Sequence, residues 1–189
     1  MPPSLRPAIF LDRDGVIIEN RENYVTSLAA VRFIPGALEA LARLAQAEAF
    51  VVIATNQSPV GRGLMTREAA EAVNAFVVDA IRAAGGRIDA LYMCPHRPDE
   101  NCPCRKPRPG MLRDAARDLP IDLAASVMIG DAVSDVQAGL AAGAQPVFVM
   151  SGRETMQGLQ AAGLGSTPIV ADLAAALAFL APRIKTPPA

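Results

Sequence analysis

Three strand-like runs, Ala8-Ile9-Phe10-Leu11, Phe50-Val51-Val52-Ile53-Ala54 and Ser126-Val127-Met128-Ile129, each stop abruptly at polar residues, and this repeated junction leaves the chain few architectures. Apolar runs without alternation are buried on both faces, as in a parallel sheet covered by helices. The segments between them carry helical spacing. After Pro35-Gly36, residues Leu38, Leu41 and Leu44 mark one helix face; from Thr66, residues Val73, Phe76, Val77, Ala80 and Ile81 mark another, which Gly85-Gly86 ends. Ile88 to Met93 reads as a further strand. Helices over 109–118 and 133–142, a strand over 147–150, a short strand near Ile169 and a final helix follow. Strands alternating with helices predict an α/β fold, a doubly wound, Rossmann-like, mainly parallel sheet.

The 189 residues suit one domain, 1–189, with a core over about 8–181 and a Pro-rich tail, 183–189, expected to fray. No domain-sized insertion is visible. A site would therefore be shaped by the loops 16–34, 57–65 and 94–108, without a large cap. A net charge of −1, with six Phe, two Tyr and no Trp, argues against a nucleic-acid surface. The stretch from Met1 to Pro7 is not a signal peptide, and Leu173 to Ala181, stopped by Pro182, is too short to span a bilayer. A cytoplasmic monomer acting on a small molecule, with neither nucleic acid nor membrane as partner, is the expectation.

In open parallel sheets, ligands gather beyond the carboxyl ends of the strands. The first run breaks there into Asp12-Arg13-Asp14-Gly15. Two carboxylates two residues apart in extended chain project to one side, and they repel unless a cation or a shared proton separates them. A divalent metal is the simplest remedy, although an Asp-Gly loop without function also fits these four residues. The second run ends in Thr55-Asn56-Gln57-Ser58, hydroxyl and amide groups suited to phosphate or sugar oxygens. The third ends in Gly130-Asp131, with Asp135 one helical turn on. Between them lies Arg105-Lys106-Pro107.

All three cysteines and the only histidine fall in one stretch, Cys94-Pro95-His96 and Cys102-Pro103-Cys104. One imidazole and three thiolates make a closed tetrahedral shell for structural zinc, which would staple this loop. Reduced thiols without metal are the alternative. A disulfide fits poorly, because the count is odd and neighbours two apart bridge badly.

The order and types of these residues resemble the haloacid dehalogenase-like phosphohydrolases, from about residue 8 to residue 150. The four motifs correspond to Asp12-Arg13-Asp14-Gly15, Thr55-Asn56-Gln57-Ser58, Lys106, and Gly130-Asp131 with Asp135. The Thr-Asn-Gln-Ser loop with Arg62 beyond it, and the Cys-rich loop leading into Cys104-Arg105-Lys106-Pro107, resemble the D-glycero-D-manno-heptose 1,7-bisphosphate phosphatase group, whose relatives include histidinol-phosphate phosphatases.

The resemblance implies a Mg²⁺ ion held by Asp12, the backbone carbonyl of Asp14, and Asp131. It implies Asp12 as nucleophile, Asp14 as acid and then base, and Thr55 and Lys106 on the phosphoryl oxygens. Asp135 would orient Lys106 or a metal-bound water, its alternative being an exposed acid at a helix N-terminus. Asn56, Gln57, Ser58, Arg105, Arg62, Asn23 and Tyr24 would meet substrate, Arg105 through a planar fork suited to a second phosphate. Two departures stand out. The first motif continues Val16-Ile17-Ile18 with Asn20 two positions late, and Ala132 replaces a polar or basic residue. A receiver-like phospho-acceptor domain and a zinc-stapled binding module remain open as other classes.

Overall fold

The structure, a computed structural model, describes residues 4–181; the expected frayed tail lies outside them. Six strands, β1 (Ala8–Leu11), β2 (Phe50–Asn56), β3 (Ala90–Cys94), β4 (Val127–Gly130), β5 (Gln145–Val149) and β6 (Ile169–Val170), form one sheet in the order β3-β2-β1-β4-β5-β6. All pairings are parallel. The helices are α1 (Ala37–Arg43), α2 (Ser58–Gly61), α3 (Arg67–Ala83), α4 (Gly110–Asp118), α5 (Val133–Ala142), α6 (Met156–Ala161) and α7 (Leu173–Leu180). The expected doubly wound α/β fold is therefore found. β1 lies in the middle, and the strand order reverses between it and β4, the position where such sheets open a crevice.

The two-residue period of a strand divides the core. Ile9, Leu11, Val51 and Ile53 pack on one face with Leu41 of α1, Val73, Val77 and Ile81 of α3, and Leu177 and Leu180 of α7. Ala8, Phe10, Val52 and Ala54 pack on the other with Met111, Leu112 and Ala115 of α4. Burying each large apolar side chain stabilises the fold by about 1.5–3 kcal/mol, which is why unbroken apolar runs are needed at the sheet centre.

Two strand boundaries and one helix face differ from expectation. β3 begins at Ala90, later than Ile88, because the Asp89 carboxylate accepts from Val51 N (2.7 Å) in place of a main-chain partner. β5 begins at Gln145 despite Pro146. The missing N–H is tolerated because β6 pairs only with Phe148 and Val149. Phe76 is 42% exposed and sits beside Phe33 (ring centroids 6.5 Å apart), while Asn74 takes a buried place on the helix.

Candidate active site

The carboxyl edge of the sheet carries a cleft of about 290 Å³, lined among others by Asp12, Asp14, Lys106, Asp131 and Asp135. This is near the lower end of the range for small-molecule sites. Each group arrives at the end of a different element. β1 delivers Asp12, β4 delivers Asp131, the first turn of α5 delivers Asp135, and the loop after β3 delivers Lys106. Gly15 lets the chain turn away at φ 86°, and a Cβ there would strike the Asp131 carboxylate.

Lys106 is 2% exposed, and its ammonium meets three acceptors: Ala54 O at 2.7 Å, Asp12 Oδ1 at 3.0 Å and Asp135 Oδ1 at 2.6 Å. It donates a hydrogen bond to the Ala54 carbonyl and ion-pairs with both carboxylates. Burial works against its charge, but the Asp12 and Asp135 carboxylates raise its pKa above that of a free lysine. Asp135 is buried, not an exposed helix-terminal acid, and its second oxygen accepts from Ala132 N at 3.0 Å. Asp131 Oδ2 accepts from Asn20 Nδ2 (2.8 Å) and Arg153 N (3.2 Å).

One oxygen from each of Asp12, Asp131 and Asp135 lies within 4.8 Å of the others. Burial, then the Asp12 and Asp135 charges, push Asp131 up to about 7. Burial also pushes Asp135 up to about 6, against the pull of Lys106. Lys106 thus leaves residual like-charge repulsion around Asp131 that a hard dication would relieve, and oxygen donors suit Mg²⁺.

Asp14 stands apart from that cluster. Arg13, fully buried, donates to it from Nε and Nη2, and Gln57 Nε2 donates at 2.8 Å. Burial raises the Asp14 pKa, Arg13 opposes that, and Asp12 adds to it. Two carboxyls in different surroundings, one of them raised by burial, can divide the labour that acid–base chemistry requires.

Of the residues singled out from sequence, Ser58, Arg62, Arg105, Tyr24, Asn56 and Gln57 line the cleft. Asn23 does not. Tyr24 N bonds to Arg21 O (3.1 Å), so Glu22 and Asn23 form the exposed tip of a turn while Tyr24, at φ 63°, faces the cleft. Thr55 is fully buried beneath the lining, because Gln57 folds back and donates to its hydroxyl at 2.9 Å. Asn56 is a clamp whose amide bonds both the N and O of Lys106 at 3.1 Å.

Sequence reasoning missed Arg13, Asn20, Arg21, Arg153 and Glu154. The last four line the cleft. The loop Ser151-Gly152-Arg153-Glu154 follows β5, and its position at a strand's carboxyl end was the available signal. Ser151 Oγ donates to Gly15 O (2.7 Å), tying the two loops together.

Beside the cleft, Cys94, His96, Cys102 and Cys104 converge. The sulfurs lie 3.3–3.5 Å apart, and His96 Nδ1 lies 3.3 Å from Cys104 and 3.6 Å from Cys94. These separations exceed a disulfide bond and approach the edge of about 3.8 Å in a tetrahedron with Zn–S bonds of ≈ 2.3 Å. Burial raises the Cys94 and Cys104 thiols, a penalty that a bound dication removes. The donor set fits zinc. Arg105 Nη1 donates to His96 O at 3.2 Å, so this loop holds Arg105 directly. Among the described residues, no helix is long and apolar enough to cross a membrane.

A family model described as HAD-hydrolase-like matches residues 103–176. The D-glycero-beta-D-manno-heptose-1,7-bisphosphate 7-phosphatase of Bordetella bronchiseptica is 42% identical over 167 residues, covering 88% of this chain and 93% of that protein. The enzyme of the same name from Pseudomonas aeruginosa is 40% identical over 148 residues, covering 78% and 83%. The crystal structure of the D,D-heptose 1,7-bisphosphate phosphatase of B. bronchiseptica, complexed with magnesium and phosphate, superposes with a TM-score of 0.86 at 42% identity, covering 92% of this chain and 97% of that one.

Proposed function

Because the chain belongs to the haloacid dehalogenase-like phosphatases, among those named for heptose 1,7-bisphosphate, we propose that it removes the 7-phosphate of D-glycero-D-manno-heptose 1,7-bisphosphate, on the way to the lipopolysaccharide inner core. The receiver-like and non-catalytic alternatives fall with that membership. The observation that carries the reading is the convergence of three carboxylates and one buried ammonium on a single cleft, with Asp14, its pKa raised by burial, beside them. Assay of a panel of phosphorylated metabolites tests it. Mg²⁺-dependent hydrolysis with the highest kcat/KM on the heptose bisphosphate is expected. A higher value on histidinol phosphate would displace the sugar, and no hydrolysis of any ester would overturn the activity.

Mg²⁺ would be held by Asp12, Asp131 and the backbone carbonyl of Asp14, and when bound it supplies charge neutralisation for a dianionic phosphoryl group. Among the described residues, the polar contacts of the Asp12 carboxylate, from Arg13 N and Lys106 Nζ, fall on Oδ1. Oδ2 is therefore the oxygen that attacks phosphorus. As that bond forms, the bond from phosphorus to the sugar oxygen breaks, and Asp14 gives its proton to the departing oxygen. Asp14, now a carboxylate, takes a proton from water whose oxygen attacks phosphorus. The Asp12–phosphorus bond breaks and inorganic phosphate leaves. Lys106 contributes its charge and can exchange its Asp12 contact for a phosphoryl oxygen. Thr55 acts from below, by holding Gln57.

Arg105 reads the end of the substrate remote from the scissile bond, with Arg62 and Tyr24 on the same wall. Arg105→Ala should lower kcat/KM for a bisphosphate roughly ten- to a hundredfold, the worth of a charged hydrogen bond of about 1.5–3 kcal/mol. The loss on a simple aryl phosphate should be much smaller. Equal losses, measured side by side, would place Arg105 on the transferred phosphoryl group instead.

Zinc on Cys94, His96, Cys102 and Cys104 has no open position, so its role is to order the loop that presents Arg105 and Lys106. Binding free energy on the order of 10 kcal/mol is ample for that. Purified protein should carry about one zinc per chain by elemental analysis, as a four-ligand site requires. Cys102→Ser should lose it, together with most of the activity. Full activity in a zinc-free Cys102→Ser protein would refute this role. The one chain supplies every catalytic side chain, which supports action as a monomer, and a thiol-rich zinc loop suits the reducing cytoplasm.

A further inference from the structure

A buried polar column runs behind Asp14 and has no part in the mechanism above. Arg13 is fully buried, and Asn74, on the core-facing side of α3, is 4% exposed. Such groups are rarely buried unless paired, and these are. Arg13 Nη1 donates to Asn74 Oδ1 at 2.6 Å, across 61 residues of chain, and Asn74 Nδ2 reaches Met93 Sδ on β3 at 3.4 Å. The remaining edge of the guanidinium faces Asp14, with Nε and Nη2 on Oδ2 at 3.2 and 2.9 Å.

A guanidinium is planar and its donors are fixed relative to one another. Holding Nη1 therefore sets the rotation of the whole fork, and with it the plane of the Asp14 carboxyl. Gln57 adds a third donor to Oδ2 at 2.8 Å, whereas among the described residues Oδ1 receives only Nη2, at 3.2 Å. Oδ1 is the oxygen with room for a proton and for substrate.

We infer that Asn74 is a positioning residue for the reaction: through Arg13 it fixes the orientation of the Asp14 carboxyl, so that Oδ1 faces first the departing ester oxygen and then the attacking water. This rests on the phosphatase reading. In the first step the Asp14 proton passes to the ester oxygen as the phosphorus–oxygen bond breaks. In the second, Asp14 takes a proton from water as the water oxygen bonds to phosphorus and the Asp12–phosphorus bond breaks. Nitrophenolate is a stable enough leaving anion to depart without the first proton. Both steps with an alkyl ester need a correctly aimed Asp14, but only the second does with p-nitrophenyl phosphate.

The test is rapid mixing of Asn74→Leu with p-nitrophenyl phosphate and Mg²⁺, beside steady-state assays on a sugar phosphate. A burst of about one nitrophenolate per enzyme is expected, at a rate within about threefold of wild type. It should be followed by turnover slowed at least about tenfold, with a similar loss on the sugar phosphate, since positioned acid–base groups contribute about 10²–10⁴-fold. Burst and turnover rates falling together would mean a purely structural role and would overturn the inference, as would wild-type behaviour throughout. If Asn74→Leu fails to fold, Asn74→Ala decides by the same criteria. Wild-type protein run in parallel separates the two readings, because no hydrolysis there sinks the phosphatase itself, not the role of Asn74.

Discussion

Asp12→Asn should retain less than about a thousandth of wild-type kcat, on sugar phosphates and aryl phosphates alike, a barrier increase of roughly 4 kcal/mol or more. The side chain keeps its length but loses what the site uses. An amide oxygen is a poor nucleophile, and the charge that Lys106 meets at 3.0 Å disappears. Because the defect lies in bond formation to phosphorus, substrates with good leaving groups give no rescue. The melting temperature should change little, since Lys106 keeps Asp135 as a charged partner at 2.6 Å and the neutral amide relieves the repulsion that Asp12 exerts on Asp131. Steady-state kinetics beside a thermal melt checks this, and retention of more than about a thousandth of the rate in folded protein would rule out covalent catalysis through this residue.

Lys106→Met is the second severe case, because it damages both rate and fold. One ammonium satisfies Asp12, Asp135 and the carbonyl of Ala54. Removing one partner from a buried charge pair destabilises by about 3–5 kcal/mol, and loss of the charge should lower kcat by about 10²–10³. The pH dependence has a definite sign. Asp131 and Asp135 already titrate near 7 and 6, above an ordinary carboxylate. Groups raised on folding stabilise at low pH, and that contribution is lost as pH rises through the folded value. Without Lys106 the repulsion grows. The melting temperature of Lys106→Met should therefore climb as pH falls from 8 to 6, and more steeply than in wild type. A pH-independent melt with less than a tenfold rate loss would show that the lysine is not the counter-charge.

What the sequence disclosed was whatever is local. Asp12-Arg13-Asp14-Gly15 sits on a strand end that its own apolar run marks, and the four zinc donors lie within one short loop, so residue type and spacing suffice. What it concealed depends on side chains meeting from afar. Position 74 lies between Val73 and Val77 on an apolar helix face, and an asparagine there is unremarkable until Arg13 is seen to need an acceptor. Phe76 took its place in the expected core because period alone cannot tell which of two adjacent faces meets the sheet. Asn20, two positions late by motif, still reaches Asp131 because the loop after Gly15 doubles back, with Ile17 N and Ile18 N both bonded to Arg13 O. Thr55 and Asn56 were read as ligand donors from their chemistry. Their partners within the protein, Gln57 and the main chain of Lys106, are set by backbone direction at the end of β2.

The central position of β1 has a further consequence, for biosynthesis. Its neighbours are β2 on one side and β4 on the other, and Ala8 N is bonded to Ser126 Oγ across 118 residues. A ribosome adding about 5–20 residues per second emits β1 and β2 early, but it needs on the order of ten seconds more before β4 can close the other edge. During that interval a wholly apolar strand, buried along its whole length in the finished protein, offers an open hydrogen-bonding rim, the feature by which chains recruit one another. Asp131 and Asp135, the second and third carboxylates of the cluster, emerge directly behind the strand that seals this rim. A nascent chain can therefore acquire its catalytic charge cluster only as the rim of β1 is sealed, and lengthening the connection between α4 and β4 would prolong that exposure without touching any residue of the finished site.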